Sequence, residues 1–313
     1  MGYLGDTLLV EAMCRNIKQN ILNSNILFFV NEPFKEIPLG FESVDKIYSY
    51  DKKKKHKGIT GYIKFLKAIN EKNIDYAIIT HPHERSILLA KIIGAKKIIS
   101  LPIKRSFFNV FVNQKRKYYE EESETIYRAD YNNKYLNGIC EYKNIPICYK
   151  RLDINEKEIL DKFKLYNPYI VLSPTSKDLI KDWDYDNIKN FILKSERDVV
   201  LVGTNKAKEI AEQLKAESIK FIDLSLRTTI TELAAVIKNS QYCVSVDTGT
   251  FHLSYAQNVN TIGLFFSKEK LKKWSPSNLK NITILLGERC GDKRNFVSKK
   301  DIKAEEVLQK IKI

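Results

Sequence analysis

Short apolar runs alternate with stretches of helical period along nearly the whole chain, and this alternation constrains the fold more than any other feature. Asn25–Val30, Val44–Tyr48, Tyr76–Thr80 and Lys97–Leu101 are compact runs of strand length. Gly5 to about Asn20 instead carries Leu8, Leu9, Ala12, Met13 and Ile17 at helical spacing. Gly58–Asn73 repeats that period through Tyr62, Phe65, Leu66 and Ile69, and Arg85–Ile93 is a helix closed by Gly94. Strands and helices in this rhythm predict an α/β fold, with a parallel sheet covered by helices on both faces.

Ser123–Cys140 is expected to be a helix, and Pro146–Tyr149 a connection, after which the rhythm restarts. Strands are expected at Tyr169–Leu172, Val199–Val202, Phe221–Asp223, Tyr242–Val246 and Thr261–Phe266. Helices are expected at Glu156–Leu165, Tyr185–Lys194, Lys206–Ala216, Thr231–Lys238 (capped by Thr229 or Thr231), Phe251–Gln257 and about Ala304–Ile313. The 313 residues therefore divide into two doubly wound halves, residues 1–150 and 151–313. Such sheets bind ligands at the carboxyl ends of their strands, and the expected site is a cleft between the halves. One feature breaks the pattern: a doubly wound half normally opens with a strand, yet Met1–Gly5 is too short to supply one. Either the reading frame begins upstream or the first sheet lacks its first strand, and the former is the expectation.

The formal net charge is +15 and is concentrated. From Asp51 to Lys117 there are 17 Lys/Arg against 4 Asp/Glu, a local balance of +13. This is either a solvated Lys-rich surface or a face for something anionic, such as a phosphorylated glycolipid or a membrane headgroup. No RNA- or DNA-binding signature accompanies it, so nucleic acid is not expected as a partner. The five cysteines form no C-x-x-C pair, which argues against a disulfide framework or zinc site and suits a reducing compartment. No apolar run reaches the roughly 20 residues needed to span a bilayer. A cytoplasmic protein, in peripheral contact with the inner membrane, is expected.

The most informative local pattern is the apolar strand Cys243–Val246, which runs into Asp247-Thr248-Gly249-Thr250-Phe251-His252 and then a helix. A strand ending in a Gly-containing turn at a helix start presents several backbone N–H groups together, and with the helix dipole they suit a phosphate. Thr248 and Thr250 can add hydroxyl donors, Gly249 allows close approach, and Asp247 is expected to cap the turn. His252 falls in the first helical turn. Thr175 and Ser176 lie in a polar loop after a strand and can also donate to phosphate. His81 and His83 follow a strand end beside Arg85 and Ser86; contact with a polyhydroxy or anionic acceptor and a plain structural role are both open for them.

The segment Val244–Leu253 closely resembles the donor-binding segment of the ADP-heptose:lipopolysaccharide heptosyltransferases, glycosyltransferase family 9. Four further elements resemble that family in order and spacing. They are Gly5-Asp6 before a helix; Tyr76–Gly94 with Arg85-Ser86, leading into Gly94-Ala95-Lys96; Ser173–Trp183 ending Lys181-Asp182-Trp183; and Val200–Gly203 followed by Glu209. The resemblance implies a GT-B architecture of two Rossmann-like domains, with the acceptor bound by the first and the nucleotide-sugar donor by the second. It implies inversion without a metal ion or other cofactor. Carried over by position, Asp6 would be the general base and Lys181 would meet the diphosphate. Thr248, Gly249, Thr250 and His252 would surround the donor phosphates, with Asp247 in the same donor-binding turn and Thr175, Ser176 and Gly203 nearby, and Glu209 would reach the donor ribose. His81, His83, Arg85 and Ser86 would face the acceptor. The sequence departs from the family after Leu264, reading Phe265-Phe266-Ser267-Lys268 where the family has Phe-Gly-Pro-Thr, and it lacks the cysteine pair that some members carry after the position of Cys290. The expected reaction is transfer of heptose from ADP-heptose to an anionic glycolipid, lipopolysaccharide core or a related surface glycan. A transferase for another nucleotide sugar, or a non-catalytic nucleotide-sugar binder, remains an alternative.

Overall fold

The computed structural model describes residues 4–71, 73–115, 125–277, 279–292 and 295–312. Lys72, Arg116 and Lys117 of the basic stretch, and Ser123 and Glu124 of an expected helix, lie outside the described residues. The chain forms two compact units, residues 1–150 and 151–313.

The second unit is a six-stranded, fully parallel sheet. Its strands are β6 (Tyr169–Ser173), β7 (Asp198–Leu201), β8 (Ile222–Asp223), β9 (Tyr242–Val246), β10 (Thr261–Phe265) and β11 (Ile282–Leu286), in spatial order β11-β10-β9-β6-β7-β8. Both faces are covered, which is why β6 and β10 are buried at every residue and read as continuous apolar runs. The helices between them are α6 (Glu156–Phe163), α7 (Tyr185–Lys194), α8 (Asn205–Ala216), α9 (Ile230–Lys238), α10 (Gly249–Ala256), α11 (Lys268–Trp274) and α12 (Ala304–Leu308). Thr229 caps α9 in a reciprocal box with Glu232, which selects Thr229 over Thr231 as the cap. Ile170, Leu172, Val199, Leu201, Val244, Val246, Ile262 and Leu264 form the strands' share of one core, against Phe191 of α7 and Ala211 of α8. An antiparallel hairpin, β12 (Glu288–Gly291) and β13 (Phe296–Lys300), follows the sheet.

The first unit holds two smaller parallel sheets. One pairs β1 (Leu27–Asn31) with β2 (Lys46–Tyr50); the other has the order β3 (Tyr76–Ile79), β4 (Lys97–Ser100), β5 (Gln114–Lys115). Its helices among the described residues include α1 (Leu4–Leu8), α2 (Glu11–Asn20), α3 (Gly58–Lys67), α4 (Glu84–Ile92) and α5 (Arg128–Asn133). Between β1 and β3 lies a cavity of about 680 Å³.

Three expected elements differ in form. The helix expected from Gly5 breaks at Leu9–Val10 into α1 and α2. Residues 8, 9, 10, 12, 13 and 14 are all buried, too wide a set for one helical stripe, and the bend lets both pieces turn their apolar sides inward. The helix from Gly58 stops at Lys67, and Asn73 takes a left-handed conformation (φ +63°) that ends the period. Of the helix expected to end at Cys140, the described part is α5 and a 3₁₀ turn at Lys134–Leu136.

Candidate functional site

Three loops leave the carboxyl ends of the neighbouring strands β9, β6 and β7. The chain order reverses between β6 and β9, so this is the switch point where an open α/β sheet leaves a crevice for a ligand. The turn after β9 begins with Asp247, and Thr248 is the N-cap of α10 with extended backbone (φ −141°, ψ 177°). The Thr248 side chain makes no capping bond to the first turn; its hydroxyl instead lies 3.2 Å from Ser245 Oγ. Thr248 and Gly249 are partly accessible, so the first-turn N–H groups and the positive end of the helix dipole face a reachable surface.

The loop after β6 supplies the charge. It ends in a 3₁₀ turn, Leu179–Lys181, and the Lys181 ammonium lies 2.6 Å from Asp247 Oδ2. Asp247 thus does not cap its own turn, as expected from sequence; its buried carboxylate holds a lysine from the neighbouring loop. The loop is pinned at several points. Trp183 is buried and donates from Nε1 to Ile302 O at 2.8 Å, while its N–H reaches Pro174 O at 2.9 Å. Asp182 accepts from Ser176 N–H and from Lys206 Nζ of α8. Arg289 of β12 has a fully buried side chain lying 3.8 Å over the Phe266 ring, and it donates to Ile180 O and Asp182 O and to Asp184 Oδ2. Burial pushes the Asp184 carboxyl up, and the Arg289 charge opposes that push.

The loop after β7 is narrow for a reason. Gly203 has φ +144°, and a Cβ there would meet Ala207 Cβ at 2.7 Å and Thr175 Oγ1 at 3.6 Å. Thr175 thus lies within ordinary contact distance across the loops, while any side chain at position 203 would collide with Ala207 at the start of α8. Ser176 bonds within its own loop, its hydroxyl donating to Asp178 O at 2.8 Å and accepting from Asp178 N–H at 3.0 Å. Thr250 is buried in the first turn of α10. His252 is 2 % exposed, with Nδ1 2.9 Å from Tyr255 Oη and its ring against Phe251 and Trp274. Its side chain packs inside the unit rather than lying on the accessible surface of the turn. Glu209 is exposed on α8.

In the first unit, Asp6 of α1 lies 3.8 Å from His81 Nε2 at the end of β3. Asp6, His81 and Ser86 line the same cavity. His83 is the N-cap of α4, its Nδ1 accepting from Arg85 N–H at 3.4 Å, and both side chains are exposed. The structure thus gathers Asp6, His81 and Ser86, with His83 and Arg85 at the adjacent helix start. Lys52–Lys55 form an exposed turn whose backbone is organised by Asp51, its carboxylate accepting from the N–H groups of Lys53, Lys54 and Lys55. Among the described residues, no three His, Cys, Asp or Glu side chains stand together as a metal site would require. No helix among the described residues is long and apolar enough to cross a membrane.

The family model "Glycosyltransferase family 9 (heptosyltransferase)" matches residues 62–303, well over half of the chain. The chain belongs to glycosyltransferase family 9. It is 25 % identical to lipooligosaccharide heptosyltransferase 2 of Campylobacter jejuni, over 99 % of this chain and 95 % of that protein. The solved structure of Escherichia coli ADP-heptose lipopolysaccharide heptosyltransferase II matches with a TM-score of 0.79 at 15 % identity, covering 99 % of this chain and 95 % of that one. E. coli heptosyltransferase WaaC, solved with ADP, matches with a TM-score of 0.74 at 17 % identity, covering 99 % and 96 %. The fold is that of the GT-B glycosyltransferases, and this family 9 protein is a glycosyltransferase.

The residues that brace the switch-point loops of this family 9 transferase, Asp182, Lys206 and Arg289, were not foreseen from its sequence. Asp182 stood inside the Lys181-Asp182-Trp183 element, and its position between two named residues was the available signal. Lys206 and Arg289 had none, being two of 53 basic residues whose partners lie far along the chain.

Proposed function

We propose that the chain transfers heptose from ADP-heptose, with inversion and without a metal ion, to lipopolysaccharide core or a related anionic surface glycolipid, working at the cytoplasmic face of the inner membrane. The ion pair between Lys181 and Asp247, beside the uncapped start of α10 at the switch point of β6 and β9, carries this reading. A diphosphate leaving group develops negative charge as the glycosidic bond to the donor breaks. A lysine point charge and the first-turn N–H groups of α10 would offset that charge where it forms. Thr248, Gly249 and Thr250 would hold the phosphates, Thr175, Ser176 and Gly203 the adjoining loops, and Glu209 the ribose. His252, packed on Tyr255, would support the turn from within. Residues 151–313 would bind the donor and residues 1–150 the acceptor.

Inversion needs one base on the acceptor hydroxyl. Asp6 suits that role because it is partly buried and borders a cavity, with His81 beside it to orient either the carboxylate or the acceptor. His83, Arg85 and the Lys52–Lys55 turn would attract an anionic acceptor. The names of the Campylobacter and E. coli relatives agree with the heptose and lipid-linked acceptor, and the WaaC structure with ADP agrees with the nucleotide.

A donor panel with mass detection of products, run with and without a chelator, tests the proposal. Release of ADP with heptose on the acceptor, unchanged by chelation, supports it. Turnover of a different nucleotide sugar would replace the donor, and tight ADP binding without transfer to any acceptor would make the chain a binder. Asp6→Asn should retain donor binding and lose most transfer; near-normal turnover would remove Asp6 from the role of base.

A further inference from the structure

Two elements of the first unit meet on α4, and together the three hold out apolar side chains. α3 joins α4 through Tyr62 and Phe65, which cluster with Leu89, and Tyr62 Oη donates to Arg85 O at 3.2 Å. The 3₁₀ turn Phe107–Phe111 joins it through Phe108 and Phe111, which cluster with Ile87 and Ala90, and Ser106 Oγ donates to Glu84 Oε1 at 2.7 Å. Eight large apolar residues are exposed among the described residues of this unit, and five of them lie on these three elements. They are Ile59 and Ile63 of α3, Ile92 of α4, and Phe107 and Val110 of the turn.

The turn is the sharper feature. A 3₁₀ helix has three residues per turn, so Phe107 and Val110 project on the same side, 78 % and 64 % exposed, while Phe108 packs inward. The Phe107 ring meets Phe111 edge-on, with centroids 6.1 Å apart. The platform beneath is braced. Asn109 donates from Nδ2 to Ile103 O at 2.6 Å and accepts from Ile103 N–H at 2.9 Å, and Ser106 Oγ accepts from Phe108 N–H at 3.3 Å. A braced turn that holds a phenyl and an isopropyl group in water marks a contact surface.

The border selects the partner. From Lys91 to Lys115 the chain has six Lys/Arg and no Asp/Glu. The Lys91 ammonium lies 5.9 Å from the Phe111 ring centroid, and Lys104 and Arg105 are exposed directly ahead of the turn. The Lys52–Lys55 turn likewise leads into the end of α3 that carries Ile59. A bilayer containing anionic lipid satisfies both halves of this pattern. Headgroup phosphates take the cations, and the apolar boundary beneath them takes the phenyl and isopropyl groups.

We propose that this layer docks the chain on a bilayer of anionic phospholipid, with Phe107 and Val110 entering the boundary between headgroups and acyl chains. Ile59 and Ile63 form a second apolar contact, and Lys91, Lys104 and Arg105 pair with headgroup phosphates. The proposal deepens the membrane-face part of the proposed function, on which it rests, and is independent of the donor and of the reacting residues.

Co-sedimentation of the full chain with vesicles of phosphatidylcholine and phosphatidylglycerol, free of glycolipid, tests it. Phe107→Ser combined with Val110→Ser should weaken binding about tenfold or more at low and at high salt alike, because the lost contribution is apolar burial and not charge. Tyr166→Ser, which alters an apolar residue 71 % exposed in the second unit, should bind as the parent does. Phe107→Trp keeps an aromatic ring in place and should be quenched by lipids brominated in their acyl chains, beyond the quenching of the parent's own Trp183 and Trp274. Absence of parent binding, undiminished binding by the double variant, or no added quenching overturns the proposal. So does a lipid-free dimer of the parent that the double variant loses, because a second copy would then cover the turn. Transfer to a detergent-dispersed acceptor should be equal in the parent and the double variant. A loss of that transfer with vesicle binding intact would make the turn an acceptor contact and overturn the proposal. Failed vesicle binding with transfer intact overturns it too, and leaves the transferase reading standing.

Discussion

Lys181 and Asp247 meet at 2.6 Å across the loops that follow β6 and β9, with the aspartate side chain 7 % exposed and the lysine 25 %. The pair spans the point where strand order reverses, so it ties the loop after β6 to the turn after β9. It also leaves the ammonium partly accessible, pre-placed by a carboxylate that makes no other proposed contribution. Asp247 is in this sense a positioning residue.

A mutant cycle separates the two roles. Lys181→Met should cost about 10²–10³ in kcat/KM, the scale of losing one charge-stabilising donor. Asp247→Asn should cost about tenfold by letting the lysine wander. The double variant should be no worse than Lys181→Met within about threefold, because the aspartate acts through the lysine. Steady-state kinetics on all four proteins decides it, and fully additive losses would refute the coupling.

Gly203→Ala should destabilise the second unit by roughly 1–3 kcal/mol, since φ +144° is a glycine conformation and the new methyl would sit 2.7 Å from Ala207 Cβ. Urea unfolding measures this. Adding Ala207→Gly should restore part of the loss by removing the clash while leaving the backbone strain.

Asp223 links β8 to α8. Burial pushes its carboxyl up, but hydrogen bonds from Lys215, Ser225 and Lys208 outweigh burial and leave it well below the usual carboxylate range. A folded-state value below the unfolded 3.8 means the stabilisation is complete above that pH and is lost as pH falls through the depressed value. Asp223→Asn should therefore cost about 2 kcal/mol at neutral pH. The gap from the parent should be unchanged at pH 5 and shrink at pH 3, as read from urea titrations at the three pH values.

The Lys52–Lys55 turn should contribute to docking on anionic surfaces. Replacing Lys52, Lys53 and Lys54 by Gln should weaken binding to vesicles containing anionic phospholipid by about fivefold per lysine at low salt, and little at high salt. Co-sedimentation against neutral vesicles is the control; equal loss on both kinds of vesicle would count against an electrostatic origin.

The second unit was more legible in the sequence than the first. Tyr242–Val246 and Tyr185–Lys194 match their expected bounds because buried parallel strands and amphipathic helices write unambiguous patterns. The stretch from Lys268 to Lys300 was not read: α11 is seven residues and mostly charged, β11 is only partly buried and was passed over although it is as long as β10, and β13 exposes four of its five residues, so it carries no apolar run. In the site, the backbone features were readable, since a strand, a glycine turn and a helix start are local. Contacts such as Lys181 with Asp247 or Arg289 with Asp182 join residues 66 and 107 positions apart, and no local pattern announces them. His252 was conspicuous as a polar residue in a promising turn, yet the same first turn places it beside Tyr255 one helical step on, where it packs inward.

The buried guanidinium of Arg289 has a wider consequence. It ties a ribbon that follows the last sheet strand to the main-chain carbonyls flanking Lys181. A library that randomised the hairpin as though it were decoration would thus retune the crevice from behind, and engineering of donor preference has a lever there that never touches the ligand.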